Sequence, residues 1–431
     1  MEDAILVFVF QGEAEAEKEK RIAELREIAH SAGARVRAVL AQERSAPSPA
    51  TLIGKGKLQE VKDLVTAEEI GLVIFEASLT GAQRKHLSEA LDCKLLDRVD
   101  LILDLFAHRA QSKKSKLEVH LAQLEYRLPR LRGYGTALSR TGGGIGTRGP
   151  GEQKLESDRR TIERQITAIK RKLALFSGQE AVAGKRKRAS ALPLVVMTGY
   201  TNVGKSTLMN RLLEAYGQDI SQEKQVYADD RLFATLETAT RRIQKPGEAP
   251  FLLVDTVGFI HDLPEKLKRS FESTLEEVMG ADLLLLLLDG ANPSYETDLH
   301  VVEKTLRSLG NTAPILYVMN KMDQNQPALV TPKERTCSLS AQTGAGVDQL
   351  MDQILENLFG PLVSCLLSFP YEKRGVVQSL QTAGRVKKEW ADSQGMRWLI
   401  EARENQIRRF LAQNPEITRG QPPPEEDIHG V

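Results

Sequence analysis

The hydrophobic period changes several times along this chain, and each change marks a boundary between elements. Over the first hundred residues the apolar runs AILVFVF (4–10), ARVRAVL (34–40), LVIFEA (72–77) and CKLLDR (93–98) alternate with helix-patterned stretches at 13–32, 57–67 and 80–91. Strands that alternate with helices predict an α/β domain with a mainly parallel sheet. From residue 117 the steps become three and four, through Leu117, Leu121, Leu124, Leu128 and Leu131, which is one apolar face of a long helix. Leu155, Ile162, Ile166, Ile169 and Leu173 repeat the stepping on a second helix. Two such helices bury each other's stripes as an antiparallel hairpin. The glycine-rich TGGGIGTRGPGE (141–152) then falls at its tip.

Residues 177–192, SGQEAVAGKRKRASAL, are poor in apolar residues and read as a linker. Strand and helix patterns alternate again over 193–360, beginning with PLVVMTG, and predict a second α/β domain with a mainly parallel sheet. Beyond it, LVSCLLSF (362–369), a helix over 374–383, RVKKEWA (385–391), a turn at DSQG, MRWLIEA (396–402) and a last helix predict a small α+β domain with a disordered tail. The expected organisation is therefore an α/β subdomain at 1–111, a helical hairpin at 112–176, the linker, an α/β domain at 193–360, and an α+β domain at 361–431. Three domains fit 431 residues at roughly one to two hundred each.

Composition removes several classes of function. The longest aliphatic run, six leucines at 283–288, is far short of the roughly twenty residues of a membrane span, and reads as a buried parallel strand. The N-terminus is acidic and lacks a cleavage-site pattern, so a cytoplasmic protein with no membrane association is expected. Cys93, Cys337 and Cys365 stand far apart, which argues against a disulfide framework or a thiolate metal site. A monomer is expected. Net charge is +1, yet residues 112–176 hold fifteen Lys or Arg against six Asp or Glu. On charge alone this basic arm reads equally as a face for a polyanion or as a solvated helix pair.

GYTNVGKS (199–206) is G-x-x-x-x-G-K-S, placed after an apolar strand and before the helical STLMNRLL. In that context the backbone N–H groups from Gly199 through Tyr200, Thr201, Asn202, Val203 and Gly204 can surround phosphate oxygens, with Thr207 following them into the helix. Lys205 can reach the β and γ phosphates, and the Ser206 hydroxyl can ligate magnesium. FLLVDTVG (251–258) runs a buried strand into Asp255, whose carboxylate can hold magnesium through water. Thr256 and Val257 lead to Gly258, whose N–H can sense the γ-phosphate. Thr235 in LFATLE is the best candidate for a switch threonine on magnesium and γ-phosphate.

NKMD (320–323) supplies Asn320, Lys321 and Asp323, and the Asp323 carboxylate can accept from both N1–H and the N2 amine of guanine, a pair adenine lacks. SAQTGAG (340–346) places Ser340 and the Ala341 N–H for the guanine oxygen. Taken alone, NKMD is a weak four-residue match. In this order with the other motifs it points to GTP or GDP as ligand, with Mg2+ at Ser206, Thr235 and Asp255. Lys205, Thr235, Gly258 and Asn202 are the candidate catalytic set. Phe259 stands where many GTPases place a water-orienting glutamine, so slow intrinsic hydrolysis is expected.

Together these stretches resemble the HflX family of translational GTPases over most of the chain. The most specific part is GGIGTRGPGEQKLESDRR (143–160), similar to the family's Gly-Pro-Gly-Glu signature and the helix after it; LIGKGKLQEV, DRVDLILDLFAHRA, FATLETATRR and DTVGFIHDLP fit the same pattern. Glu237 and Thr238 depart from the more usual Asp-Pro. Asn202 matches the asparagine that, in related GTPases with a hydrophobic residue after the Asp-x-x-Gly, helps bind K+; a loop asparagine making local hydrogen bonds is the equal alternative. The resemblance implies a GTPase that binds the large ribosomal subunit and its rRNA and separates stalled or idle ribosomes. An assembly or storage GTPase that binds rRNA without splitting is the second reading. Arg140, Gly142, Gly143, Gly144, Arg148, Gly149 and Gly151 are the expected RNA-facing residues, where glycine permits close backbone approach and the arginines meet phosphates. Simple solvation of an exposed loop is their alternative.

Overall fold

The computed structural model describes residues 1–138, 150–189, 192–217, 239–256, 258, 280–292, 295–308, 310–324, 336–378, 380, 384–393 and 395–421. Thr235, Val257, Arg140, Gly142, Gly143, Gly144, Arg148 and Gly149 lie outside the described residues; Gly151 falls in the first turn of a helix. The described chain separates into two compact units, one built mainly on residues 1–186 and the other mainly on 187–431.

The first unit opens with β1 (Glu2–Phe10), α1 (Glu15–Ser31), β2 (Ala34–Glu43), α2 (Lys55–Ala67), β3 (Leu72–Phe75), α3 (Gly81–Leu91), β4 (Lys94–Asp97) and α4 (Arg98–Arg109). The strands form one parallel sheet in the order β2-β1-β3-β4. Seven consecutive residues of β1, Ala4 to Phe10, are buried, as a strand covered on both faces requires. Helices α3 and α4 each start on a reciprocal capping box, Thr80 with Gln83 and Asp97 with Asp100. In an open α/β sheet, ligands sit where successive crossovers leave in opposite directions, here between the carboxyl ends of β1 and β3. That place is bridged by side chains: Glu76, directly after β3, pairs with Arg21 of α1 at 2.7 Å.

Helices α5 (Lys113–Leu138) and α6 (Pro150–Ala189) follow. Leu121, Leu124 and Ile169 are buried together, with Leu117, Ile162, Ile166 and Leu173 packed against them. The two stripes read from the sequence therefore meet, and Lys170 adds a bridge to Glu125 at 2.7 Å. Asp97 fastens α5 to the sheet: fully buried, it accepts from Leu79 N at 3.0 Å and from Tyr126 Oη of α5 at 2.8 Å, and Arg130 of α5 pairs with it. Helix α6 runs on to Ala189, so most of the stretch expected as a linker is helical. Ala, Gln, Glu, Lys and Arg are good helix formers, and scarcity of apolar residues argues against burial rather than against helix.

The second unit holds a six-stranded sheet in the order β10-β9-β8-β5-β7-β6. Its strands are β5 (Leu194–Gly199), β6 (Ala239–Ile243), β7 (Phe251–Asp255), β8 (Leu283–Asp289), β9 (Ile315–Asn320) and β10 (Thr336–Ser338), all parallel except β6, which is antiparallel to β7. Alternation along the strands loads both faces. Val195, Met197, Leu253, Leu283, Leu285 and Leu287 point to the core shared with α7 (Lys205–Tyr216) and α9 (Val347–Phe359). Val196, Val254, Leu284, Leu286 and Leu288 point to the core shared with α8 (Tyr295–Ser308). The six-leucine run is thus a central strand buried on both faces, which is why it shows no alternation with polar residues.

Strands β11 (Leu362–Phe369), β12 (Gly384–Asp392), β13 (Gly395–Arg403) and β14 (Thr418–Gly420) make an antiparallel sheet in the order β12-β13-β11-β14, carrying α10 (Arg374–Gln378) and α11 (Glu404–Gln413). Arg403 at the end of β13 meets Glu248 in the β6–β7 turn at 2.9 Å, both of them buried. Among the described residues no helix is long and apolar enough to cross a membrane.

Candidate nucleotide-binding site

The second sheet's crossovers change direction between β5 and β8, so its ligand-binding crevice lies over the carboxyl end of β5. The loop that leaves β5 there is the glycine loop. It turns through Asn202 at φ 62 and Gly204 at φ 90 into α7, whose first residue is Lys205. A β-carbon at Gly204 would strike the Asn320 amide, so the position needs glycine for space as well as for its left-handed φ.

Lys205 is 7% exposed. Its ammonium donates to Tyr200 O at 2.7 Å and to Gly199 O at 3.3 Å. Burial pushes its pKa down to about 8, against the opposing pull of the Asp255 carboxylate. Gly258 sits close by: a β-carbon there would stand 2.8 Å from Lys205 Nζ and from Thr201 Cα. The residue at 258 must therefore be glycine if the loop and the ammonium are to keep their places. Ser206 Oγ donates to Asp255 Oδ2 at 2.8 Å, and Asp255 is fully buried at the end of β7. These are hard oxygen donors side by side, a pair suited to magnesium. Thr256 Oγ1 donates to Met197 O at 2.7 Å and fixes the departure of the chain from β7.

The second half of the site gathers at the ends of β8 and β9. Asn320, 2% exposed, donates from Nδ2 to Val203 O at 2.7 Å and accepts at Oδ1 from Ala341 N at 2.8 Å. One side-chain amide thus joins the glycine loop to the Ser340–Ala341 loop. The Ala341 N–H read from the sequence as a donor to guanine is held here by Asn320, so a base at this point would share it or take it over. Ser340 is buried and its Oγ accepts from Thr343 N at 3.2 Å, which closes the loop. Lys321 pairs with Asp289 at 2.7 Å, while the Asp323 side chain is exposed. Sequence reasoning missed Asp289. An acidic residue directly after six buried leucines, at the carboxyl end of the strand beside Asn320, is the signal that could have found it.

Comparison with known proteins finds relatives along most of the chain. A model described as "GTP-binding GTPase N-terminal" matches residues 19–107, "GTP-binding GTPase Middle Region" matches 109–187, and "50S ribosome-binding GTPase" matches 194–321. GTPase HflX of Caldanaerobacter subterraneus subsp. tengcongensis is 43% identical over 396 residues, covering 92% of this chain and 90% of that protein. The chain belongs to the HflX family of GTPases. GTPase HflX of Escherichia coli is 36% identical over 402 residues, covering 91% of this chain and 92% of that one. A GTP-binding protein from the archaeon Sulfolobus solfataricus in complex with GDP has a TM-score of 0.44 at 24% identity, covering 83% of this chain and 99% of that chain. Like the rest of the HflX family, this chain is a GTP-binding protein of the P-loop class.

The buried ammonium gives the site a measurable pH signature. An anion placed beside Lys205 raises a pKa that burial has lowered to about 8, so above that pH nucleotide binding must take up a proton. GDP affinity is expected to be nearly flat up to about pH 8 and then to fall, by at most about tenfold per pH unit. Calorimetry at about pH 8.5 in buffers of different ionisation enthalpy should record net proton uptake. Lys205→Ala should abolish the uptake and weaken GDP on the order of a hundredfold. An equal proton balance in parent and variant would show that the ammonium does not face the phosphates.

Proposed function

We propose that this protein binds and hydrolyses GTP with Mg2+ and, in its GTP-bound form, docks on the large ribosomal subunit and separates ribosomes into subunits. Support for the nucleotide half comes from one observation above the rest: a buried ammonium whose two hydrogen bonds go to backbone carbonyls, at the mouth of a glycine loop. Phosphate oxygens supply the charge those carbonyls cannot. In this reading the backbone from Gly199 to Gly204 surrounds the phosphates, Lys205 neutralises them, and Gly258 offers its N–H to the γ-phosphate. Ser206, Asp255 and Thr235 would hold magnesium, which when bound neutralises charge between the β and γ phosphates. Thr256, bonded through its hydroxyl to Met197 O, holds the chain directly after Asp255. Asn320, Lys321, Ser340 and Ala341 frame the base, and Asp323 selects guanine.

The RNA half rests on the outer face of α6. Ile162, Ile166, Ile169 and Leu173 pack towards α5; Arg160, Arg164, Thr167 and Arg171 lie two residues back, about 200° around the helix. All four are exposed, and among the described residues Arg164 and Arg171 have no carboxylate partner. Arginines stacked along one helix line meet the phosphate spacing of folded RNA without reading its sequence. Arg140, Arg148 and glycines 142, 143, 144, 149 and 151, which stand in sequence from the end of α5 to the start of α6, are proposed to face the RNA.

Two experiments test this. Intact ribosomes mixed with the protein and a non-hydrolysable GTP analogue should lose light scattering as subunits part. Arg164→Glu with Arg171→Glu should retain parental GDP affinity, lose splitting, and flatten the slope of log affinity for the large subunit against log salt by about two. If the protein sediments with the large subunit while ribosomes stay whole, an assembly or storage role replaces splitting. Second, Asn202 is proposed to help hold K+ beside the phosphates. Hydrolysis should then run faster in K+ than in Na+ at equal ionic strength, and Asn202→Ala should remove the difference; equal parental rates in the two salts would end this role.

A further inference from the structure

The antiparallel sheet β12-β13-β11-β14 has two faces of different character. On one, Leu367, Phe369, Trp398 and Ile400 form a core with Val377 of α10 and Ile407 of α11. Directly opposed residues of an antiparallel pair share a face, so the register gives the composition of the other. One row there is Trp390, Arg397, Ser368 and Thr418, a residue from each strand, and the next is Lys388, Leu399, Leu366 and Gly420. Beyond these, Arg385 stands opposite Glu401.

The two tryptophans of this sheet are thereby divided between its faces. Trp398 is 1% exposed in the core, edge-on to Phe369 with ring centres 5.3 Å apart. Trp390 is half-buried on the edge strand β12, and the Lys388 ammonium lies 5.5 Å from the centre of its ring. Charge on this second face is biased towards cations. Arg385, Lys387, Lys388 and Arg397 belong to it, against Glu401, which Lys387 pairs with at 2.7 Å, and Asp392 at the end of the strand. Arg403, at the far end, is engaged with Glu248.

A flat sheet that carries an indole between cations meets the two needs of an unpaired nucleotide, a ring to stack its base on and positive charge for its phosphates. We propose that this face binds single-stranded nucleic acid, with one base stacked on Trp390 and the adjoining phosphates met by Lys388 and Arg397. Stacking of a base on an indole is stronger than the contact of a solvated ammonium with it, so a base displaces the Lys388 ammonium from the ring towards a phosphate. An acidic protein surface would use the cations but has no need of the indole, and a duplex has no base free to stack. The assignment goes beyond the docking proposed for α6 and depends neither on it nor on the guanine site.

The test uses the full chain carrying Arg164→Glu and Arg171→Glu and saturated with GDP, so that neither α6 nor the glycine loop competes for the probe. A short single-stranded oligouridylate should quench tryptophan emission as it binds; inorganic polyphosphate of equal charge, which has no base, should bind more weakly and without quenching. Trp390→Leu should weaken the oligouridylate about tenfold and remove the quenching, while Trp390→Phe, which keeps a ring, should hold affinity within about threefold. Lys388→Ala with Arg397→Ala should flatten the slope of log affinity against log salt by about 1.4. Oligouridylate bound without quenching, or bound equally by parent and Trp390→Leu, overturns the assignment. So does polyphosphate or polyglutamate bound as tightly as the oligouridylate, the latter in favour of an acidic protein partner.

Discussion

The Asn320 side-chain amide is the contact on which the candidate nucleotide site depends. Its nitrogen holds the carbonyl of Val203 in the glycine loop and its oxygen holds the N–H of Ala341. Neither loop can shift alone without leaving a polar group unpaired in a buried place, at a cost of about 1–3 kcal/mol. The amide also explains Gly204, because any side chain there would displace it. The glycine loop and the Ser340–Ala341 loop stand more than a hundred residues apart in sequence, yet they meet at a single side chain that is itself almost fully buried.

The two α/β sheets offer the same kind of crevice and fill it differently. In the first, Arg21 and Glu76 close the carboxyl edge between β1 and β3 with an ion pair. In the second, the corresponding edge carries a glycine loop and a lysine whose pKa burial has lowered. The first domain is thereby suited to carrying the α5–α6 pair, held through Asp97, Tyr126 and Arg130. The second is suited to taking an anion.

Much of this was legible in the sequence, for physical reasons that differ from part to part. Strand and helix periods located the α/β alternation, and the stripes Leu117 to Leu124 and Ile162 to Leu173 located the helix pair, because burial on one face leaves a regular spacing. The placing of Lys205, Ser206, Asp255 and Asn320 at or just beyond strand ends was legible because each motif that carries them follows an apolar strand run. Asp289 was not, since its partner Lys321 is a neighbour only across two hydrogen-bonded strands, and strand order is not written in spacing. The extent of α6 through Ala189 is likewise hidden: a stretch poor in apolar residues reads as a linker, although its composition favours helix.

The claim that the loops joined by Asn320 make one guanine-selective site is tested most directly through Asp323. Its carboxylate is assigned to accept from the two donors on guanine; an amide in its place donates to the C2 carbonyl of xanthine instead. Competition binding of GDP and XDP to Asp323→Asn should show the preference reversed in favour of XDP, with at least about a tenfold change in the ratio. Undiminished preference for GDP in that variant would contradict the account.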